Sequence, residues 1–234
     1  MTPPFPLTLT PMDTGLLRAL ADALATRLPD ATRLPDLHRV NGPGDVAGRF
    51  AELWAERTGA EVERGMEQLM YKLEAVLSRP PADGTLRPAE AADRQLLCEW
   101  FDAFVREAGA VSGDVAAAVD HRLAHGGLYL WEHEAPVTMV GVAPAIAGVV
   151  RVGPVYTPPE VRWRGYATSG VAVVSQQALD AGATACMLFT DKANPTSNAI
   201  YQRIGYRFVA TAADYRFGRS HPALRHAALD RFCR

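Results

Sequence analysis

The sequence predicts an α/β (α+β) protein, and three observations carry that prediction. Leu128–His133, Val137–Val142 and Val149–Tyr156 are rich in apolar, β-branched and aromatic residues and are separated by turn signals, the pattern of a three-strand meander. After them helical and strand periods alternate, with Ala167, Val171, Val174 and Ala178 along one side of a helix and Ala185–Thr190 as a buried strand. Upstream, a shorter run of strand and helix signals forms a second, smaller unit ahead of a proline-rich break.

In chain order, Leu7 and Leu9 alternate with threonines as a strand does, and Leu17, Leu20, Leu24 and Leu28 recur at helical spacing. Asn41-Gly42-Pro43-Gly44 reads as a tight turn, with Asp45 as the N-cap of a helix that buries Val46, Phe50, Leu53 and Trp54. Leu69, Tyr71 and Leu73 alternate with Met70, Lys72 and Glu74, which predicts a strand. Arg79-Pro80-Pro81-Ala82-Asp83-Gly84 then stops any regular element and sets a boundary. The expected organisation is a small α/β unit over 1–80, a larger domain over 81–217 and a C-terminal extension over 218–234, whose purpose the sequence does not indicate. In the larger domain Leu86-Arg87-Pro88 reads as a short strand. A helix carrying Leu96, Leu97, Trp100, Phe101 and Phe104 on its apolar side follows, then another from Asp114 to Leu123. A last strand is expected near Arg207–Tyr215.

The bulk properties narrow the function classes. The chain has 234 residues, 48% of them hydrophobic, and a formal net charge of −2. With a pI of about 6.3 it has no basic surplus for a nucleic-acid backbone. Cys98, Cys186 and Cys233 are odd in number and widely spaced, neither a disulfide framework nor a metal-ligand pattern. The N-terminal MTPPFPLTLTP lacks a basic segment followed by an apolar one, and no apolar run approaches the ~20 residues of a membrane span. The expectation is a soluble, cytoplasmic protein with no nucleic-acid or membrane partner. His121 and His125 stand four apart on a predicted helix, but no third ligand has a motif-like position, so a solvated helix face is expected and no metal.

Two segments carry chemistry. From Val155 to Thr168 a strand ends, a stiff proline loop follows, and a helix begins at a glycine and small residues. A helix N-terminus presents unsatisfied N–H groups and partial positive charge, to which Arg162 and Arg164 add flanking charge, so this joint suits a pyrophosphate. The plainer reading is a strand–turn–helix joint with two solvated arginines. The second segment runs from Asn194 to Tyr206. Asn194 can cap a helix, Pro195 suits its first turn and Gly205 its left-handed end. Asn198 and Tyr201 then share one face while Ile200 and Ile204 hold another to the core.

Arg-x-x-Gly-x-Ala at 162–167, followed by Asn-Pro-x-Ser-Asn-x-x-Tyr-x-x-x-Gly-Tyr at 194–206, resembles the GNAT superfamily of acyl-CoA-dependent N-acetyltransferases over roughly residues 85–217. The resemblance implies a mixed, mostly antiparallel sheet flanked by helices, splayed between two central strands. It implies acetyl-CoA as acyl-donor cosubstrate, without a metal, and a small amine or amino-terminal acceptor attacking the thioester directly. Val155, Tyr156 and Thr157 would lie along the pantetheine, and Arg162, Trp163, Arg164, Gly165, Tyr166, Ala167 and Thr168 would cradle the pyrophosphate. Asn194 and Asn198 would stand near the CoA arm, and Tyr201 would bind there and protonate the departing thiolate. Trp163 departs from the glycine common in the family, either stacking near the ligand or packing on the sheet edge. Tyr201 also has a plainer role, as an aromatic that holds its helix down.

No acid lies in the strand Val149–Tyr156, so the general base comes from elsewhere. Glu132 is the first choice, ahead of His133, Glu134, Glu160 and Asp191, because alternation puts it on the side of Leu128 and Leu130. Each of these also reads as a surface charge, and a water chain without a dedicated base fits the family. Cys186 reads as a small buried thiol. The first unit would be a degenerate GNAT-like half, with covering the substrate cleft or homodimerisation as its candidate roles. The alternative to catalysis is a non-catalytic acyl-CoA-binding sensor.

Overall fold

A computed structural model describes residues 7–27, 37, 39–77, 82–108 and 114–218. The described chain falls into two compact units, one running to Gln68 and resuming at Ala210, the other spanning Leu69–Val209. The sequence break at Arg79–Pro81 lies outside the described residues, as do Leu28 and the extension past Gly218. The division between these two units falls inside a strand, between Gln68 and Leu69.

The smaller unit begins with strand β1 (Leu7–Thr8), helix α1 (Thr14–Arg27), strand β2 (Arg39–Pro43) and helix α2 (Gly44–Thr58). It also takes the first part of β3 (Glu61–Leu73) and the end of β9 (Arg207–Gly218). β2 pairs parallel with β1 and antiparallel with β9. That pairing overturns the expected turn at Asn41-Gly42-Pro43, because each of these residues has a partner on β9. Gly42 is needed there for space: a Cβ would stand 2.9 Å from the Leu9 carbonyl oxygen. The chain stays extended through Pro43, so the helix begins at Gly44 and Asp45 lies in its first turn without capping it. Asp45 still meets the positive end of the helix dipole. Val40, Phe50, Trp54 and Phe217 join α1 residues Leu17 and Ala21 in one core.

The larger unit holds β4 (Thr85–Pro88), α3 (Arg94–Glu107), α4 (Val115–Ala124), β5 (Leu128–His133), β6 (Ala135–Val142) and β7 (Val149–Tyr156). Helix α5 (Tyr166–Asp180), β8 (Ala185–Asp191) and α6 (Pro195–Ile204) follow. β4 to β7 form antiparallel neighbours, β7 and β8 are parallel, and the end of β3 lies beside β8. This is the mixed, mostly antiparallel sheet flanked by helices that the resemblance implied. Successive strand residues face opposite sides, and each side has its own core. Val140, Val150, Val152, Cys186 and Leu188 pack with α5 and α6, while Leu128, Leu130, Met139 and Tyr156 pack with α3 and α4.

One irregularity shapes the centre of this sheet. Val140 pairs with Val155 but Val142 pairs with Val152, so β7 carries an extra residue opposite Gly141. A Cβ at Gly141 would stand 2.7 Å from both the Gly153 carbonyl oxygen and Pro154 Cδ. On the other side of β7, the parallel pairing with β8 runs only from Val149–Ala185 to Arg151–Met187. The bulge begins two residues later, and β7 from Val152 onward pairs with β6 alone. Gly141→Ala should therefore destabilise the protein by about 1–3 kcal/mol, as overpacked sites do, lowering the urea midpoint. An unchanged midpoint would show that the bulge tolerates the extra carbon.

Candidate active site

The site is built where β7 and β8 part. Val155 and Tyr156 end β7, and their pairing with Val140 and Met139 of β6 leaves the other edge of the strand without a β8 partner. Tyr156 packs against Trp100 of α3 at 6.2 Å between ring centroids. Its phenol is pushed up first by desolvation, then by the nearby Glu107 charge. Thr157 fixes the start of the crossover: its hydroxyl lies 2.9 Å from that of Thr138, and its carbonyl accepts from Arg162 Nε at 2.8 Å.

Arg162 is not the free flanking cation that its sequence neighbours suggested. Its Nη2 donates to both oxygens of Glu107, at 2.9 and 2.7 Å, and its guanidinium lies 5.7 Å from the centre of the Tyr156 ring. It braces the loop to the end of α3. Trp163 is 83% exposed, which removes the expectation that it packs on the sheet edge, and its φ is +68°. Arg164 is exposed too. Gly165, at φ +86°, occupies the N-cap of α5, and no side chain caps that helix. The left-handed residues at 163 and 165 curl the backbone, and among the described residues no side chain accepts from the first amides of α5 at Tyr166, Ala167 and Thr168. Such a curl ahead of an uncapped N-terminus is an anion-binding shape. Tyr166 anchors it, buried against Trp131 and Val137 with His133 at 5.8 Å.

The second segment lies on α6. Asn194 Oδ1 accepts from the Ser197 amide at 3.0 Å, so this side chain acts as the cap and its oxygen is engaged there. Asn198 Nδ2 donates to the carbonyls of Asp191 and Lys192 at 3.2 and 3.4 Å, tying α6 to the end of β8. Its Oδ1 is buried and has no hydrogen-bond partner among the described residues. An unsatisfied buried acceptor is costly, so this oxygen fits a donor from water or a ligand. Tyr201, on the next turn, keeps some open surface, yet its phenol is desolvated and pushed up to about 12. It meets Tyr206 edge-on at 6.0 Å, and the Tyr206 hydroxyl lies 2.8 Å from Ser175 Oγ.

The candidate bases fare differently. Glu132 is held by Arg87, whose Nε lies 3.0 Å from its carboxylate, while the same guanidinium grips Asp93 at 2.6 and 2.9 Å. Glu132 also sits on β5, two strands from β7, roughly 10 Å away by ordinary strand spacing. Its charge is engaged by Arg87. Asp191 Oδ1 accepts from the Ala193 amide at 2.8 Å, and Glu160 is exposed in the short turn at Pro159–Val161. Cys186 is buried and its thiol is pushed up by desolvation, which leaves it a poor nucleophile. His121 and His125 touch at 5.0 Å, and no metal-ligating cluster of three gathers among the described residues. An apolar hollow lined by Tyr129, Val142, Ala145 and Val150 contains none of the predicted site residues. Sequence reading missed Arg122 and Arg151, which stand together near the bulge; an arginine inside the otherwise apolar strand Val149–Tyr156 was the available signal.

The fold is shared by proteins of known structure. The family description FR47-like protein matches residues 142–216, from the end of β6 to β9. A GCN5-related N-acetyltransferase from Kribbella flavida superposes with a TM-score of 0.62 at 21% identity, over 92% of this chain and 80% of that one. The chain carries the GNAT fold. A GNAT-family acetyltransferase from Colwellia psychrerythraea gives 0.60 at 10% identity, over 88% and 72% of the two chains. A third GNAT structure, a GCN5-related N-acetyltransferase from Sphaerobacter thermophilus, gives 0.58 at 18% identity, over 90% and 72%. No curated protein sequence matches the chain. No helix among the described residues is long and apolar enough to cross a membrane.

The raised Tyr201 pKa fixes a sign. A phenol that ionises at about 12 when folded and near 10 when unfolded stabilises the fold fully below pH 10, and that contribution is lost as pH rises toward 12. Ultraviolet titration of phenolate should therefore lose a component above pH 11 in Tyr201→Phe. Loss of a component near pH 10 would mean that the ring is hydrated.

Proposed function

We propose that this protein is an acyl-CoA-dependent N-acetyltransferase that moves an acetyl group from acetyl-CoA to an amine by direct attack. The observation that carries the reading is the parting of β7 from β8 after Arg151–Met187, directly ahead of a curled loop and the uncapped start of α5. The unpaired edge at Val155–Tyr156 suits the amides of a pantetheine arm, as an added strand would. The amides of 165–168 suit the pyrophosphate, and the orphan Asn198 Oδ1 suits an N–H of the arm.

Acetyl-CoA supplies a thioester carbonyl and a thiolate leaving group. Tyr201 is the acid for that thiolate: its phenol is protonated throughout the physiological range. Its high pKa makes full transfer to an ordinary thiolate unfavourable in water, where thiols ionise near 8.5. In a site that desolvates the thiolate as strongly as the phenol, the sulfur's basicity rises as well and the hydrogen bond to it strengthens. Arg162 and Glu107 hold the loop in shape. With Glu132 bound to Arg87, the attacking amine enters neutral or loses its proton to water.

The commitment of these carboxylates also supports a second reading, a sensor that binds acyl-CoA without turnover. Acetyl-CoA should raise the melting temperature under either reading, because a ligand that binds only the folded state stabilises it. Tyr201→Phe should lower kcat by about 100-fold or more, the scale of a general acid, with CoA affinity nearly unchanged. Absence of CoA binding by calorimetry refutes both readings; binding without turnover across an amine panel favours the sensor.

A further inference from the structure

Two arginines of the larger unit approach the bulge of β7, Arg151 two residues before Gly153 and Arg122 at its carbonyl. Arg151 is the last residue of β7 paired to β8. Its neighbours Val150 and Val152 belong to the core under α5, so alternation sends Arg151 to the face covered by α3 and α4. There its guanidinium lies 5.1 Å from the Phe189 ring of β8. Arg122 of α4 reaches the same region, 5.8 Å from the Phe101 ring, with Nη1 3.5 Å from the Gly153 carbonyl oxygen at the bulge. Among the described residues neither makes an ion pair, unlike Arg87 and Arg162.

Arg151 is exposed and Arg122 half-buried, so both guanidinia can be reached from solvent. Desolvation lowers the pKa of both groups, and the charge of Arg151 lowers that of Arg122 further. Arginine nevertheless stays protonated in proteins. Two neighbouring cations, each beside an aromatic ring and with no ion pair among the described residues, suit an oxyanion through charge-assisted and bidentate hydrogen bonds. The pair adjoins the point where β7 leaves β8, on the face away from α5, whose N-terminus is assigned to the pyrophosphate.

We infer that Arg122 and Arg151 form the acceptor's anion subsite, so that the acceptor is an amine bearing a carboxylate or a phosphonate-type oxyanion. This rests on the acyl-transfer reading above. The test is calorimetry on the CoA-loaded protein with α-amino acids and 2-aminoethylphosphonate, each beside a neutral counterpart, the amino-acid amide or 2-aminoethanol. At least one charged probe should bind about 10-fold tighter than its counterpart, the scale of a charge-assisted hydrogen bond, and Arg122→Gln or Arg151→Gln should remove that preference. Lysine at either position should restore part of it, which a collapsed variant could not do, and CoA affinity should stay unchanged. The carboxylate and phosphonate arms separate the two oxyanions. Equal binding of charged and neutral probes, or a preference that survives the double Gln variant, overturns the inference. So does a 10-fold loss of CoA affinity in Arg151→Gln, which would assign the pair to the CoA phosphates. If CoA itself does not bind, the acyltransferase reading fails separately. Arginine-dependent binding of the charged probes to the ligand-free protein would then still support an anion subsite, and its absence would overturn that too.

Discussion

The candidate site depends on how far β7 stays paired to β8. Three residues of each strand are in parallel register, and then β7 bulges at Gly153–Pro154 against Gly141 and continues with β6 alone. Backbone donors and acceptors on the abandoned edge must reach water or another partner, since burying them unpaired is costly. A sheet that opens in its interior therefore invites an added strand of hydrogen bonds. The bulge also adjoins other parts of the site: Tyr156 and Thr157 follow it on the chain, and Arg122 reaches its carbonyl.

Around that opening the charges are sorted. Two carboxylates that sequence reading offers as bases are held, Glu132 by Arg87 and Asp191 by the Ala193 amide, and Arg162 holds Glu107 in the same way. Arg87 is pushed up, first by its hydrogen bonds to Asp93, which reflects how firmly that cluster is set. Arg122 and Arg151 are shifted the other way by desolvation. The same residue type thus serves as brace in one place and as an unsatisfied cation in another, and only the three-dimensional partners distinguish the two.

What could be read from the sequence was what depends on local rules. The meander, the α5 stripe of Val171 and Val174, the Asn194 cap and the Gly205 terminus all follow from periodicity and cap chemistry, and the structure has each of them. Asn41-Gly42-Pro43 misled because its turn composition is overridden by pairing with β9, more than 160 residues later in the chain. The unit boundary was hidden for the same reason: β9 returns to the first unit from Ala210, and a chain read in order has no sign of that return. The capture of Glu132 by Arg87 is an ion pair across 45 positions of chain, which strand alternation does not show. The orphan Oδ1 of Asn198 depends on burial, which spacing alone does not give.

The most direct measurement is amide hydrogen exchange with and without acetyl-CoA, resolved along the chain. Bound ligand should slow exchange in β7 from Val152 to Thr157 and in the first turn of α5 at residues 165–168, while β5 and the α1–α2 pair stay unchanged. Protection confined to other segments, or none at saturating acetyl-CoA, would contradict the assignment of the β7–β8 opening as the acyl-CoA site.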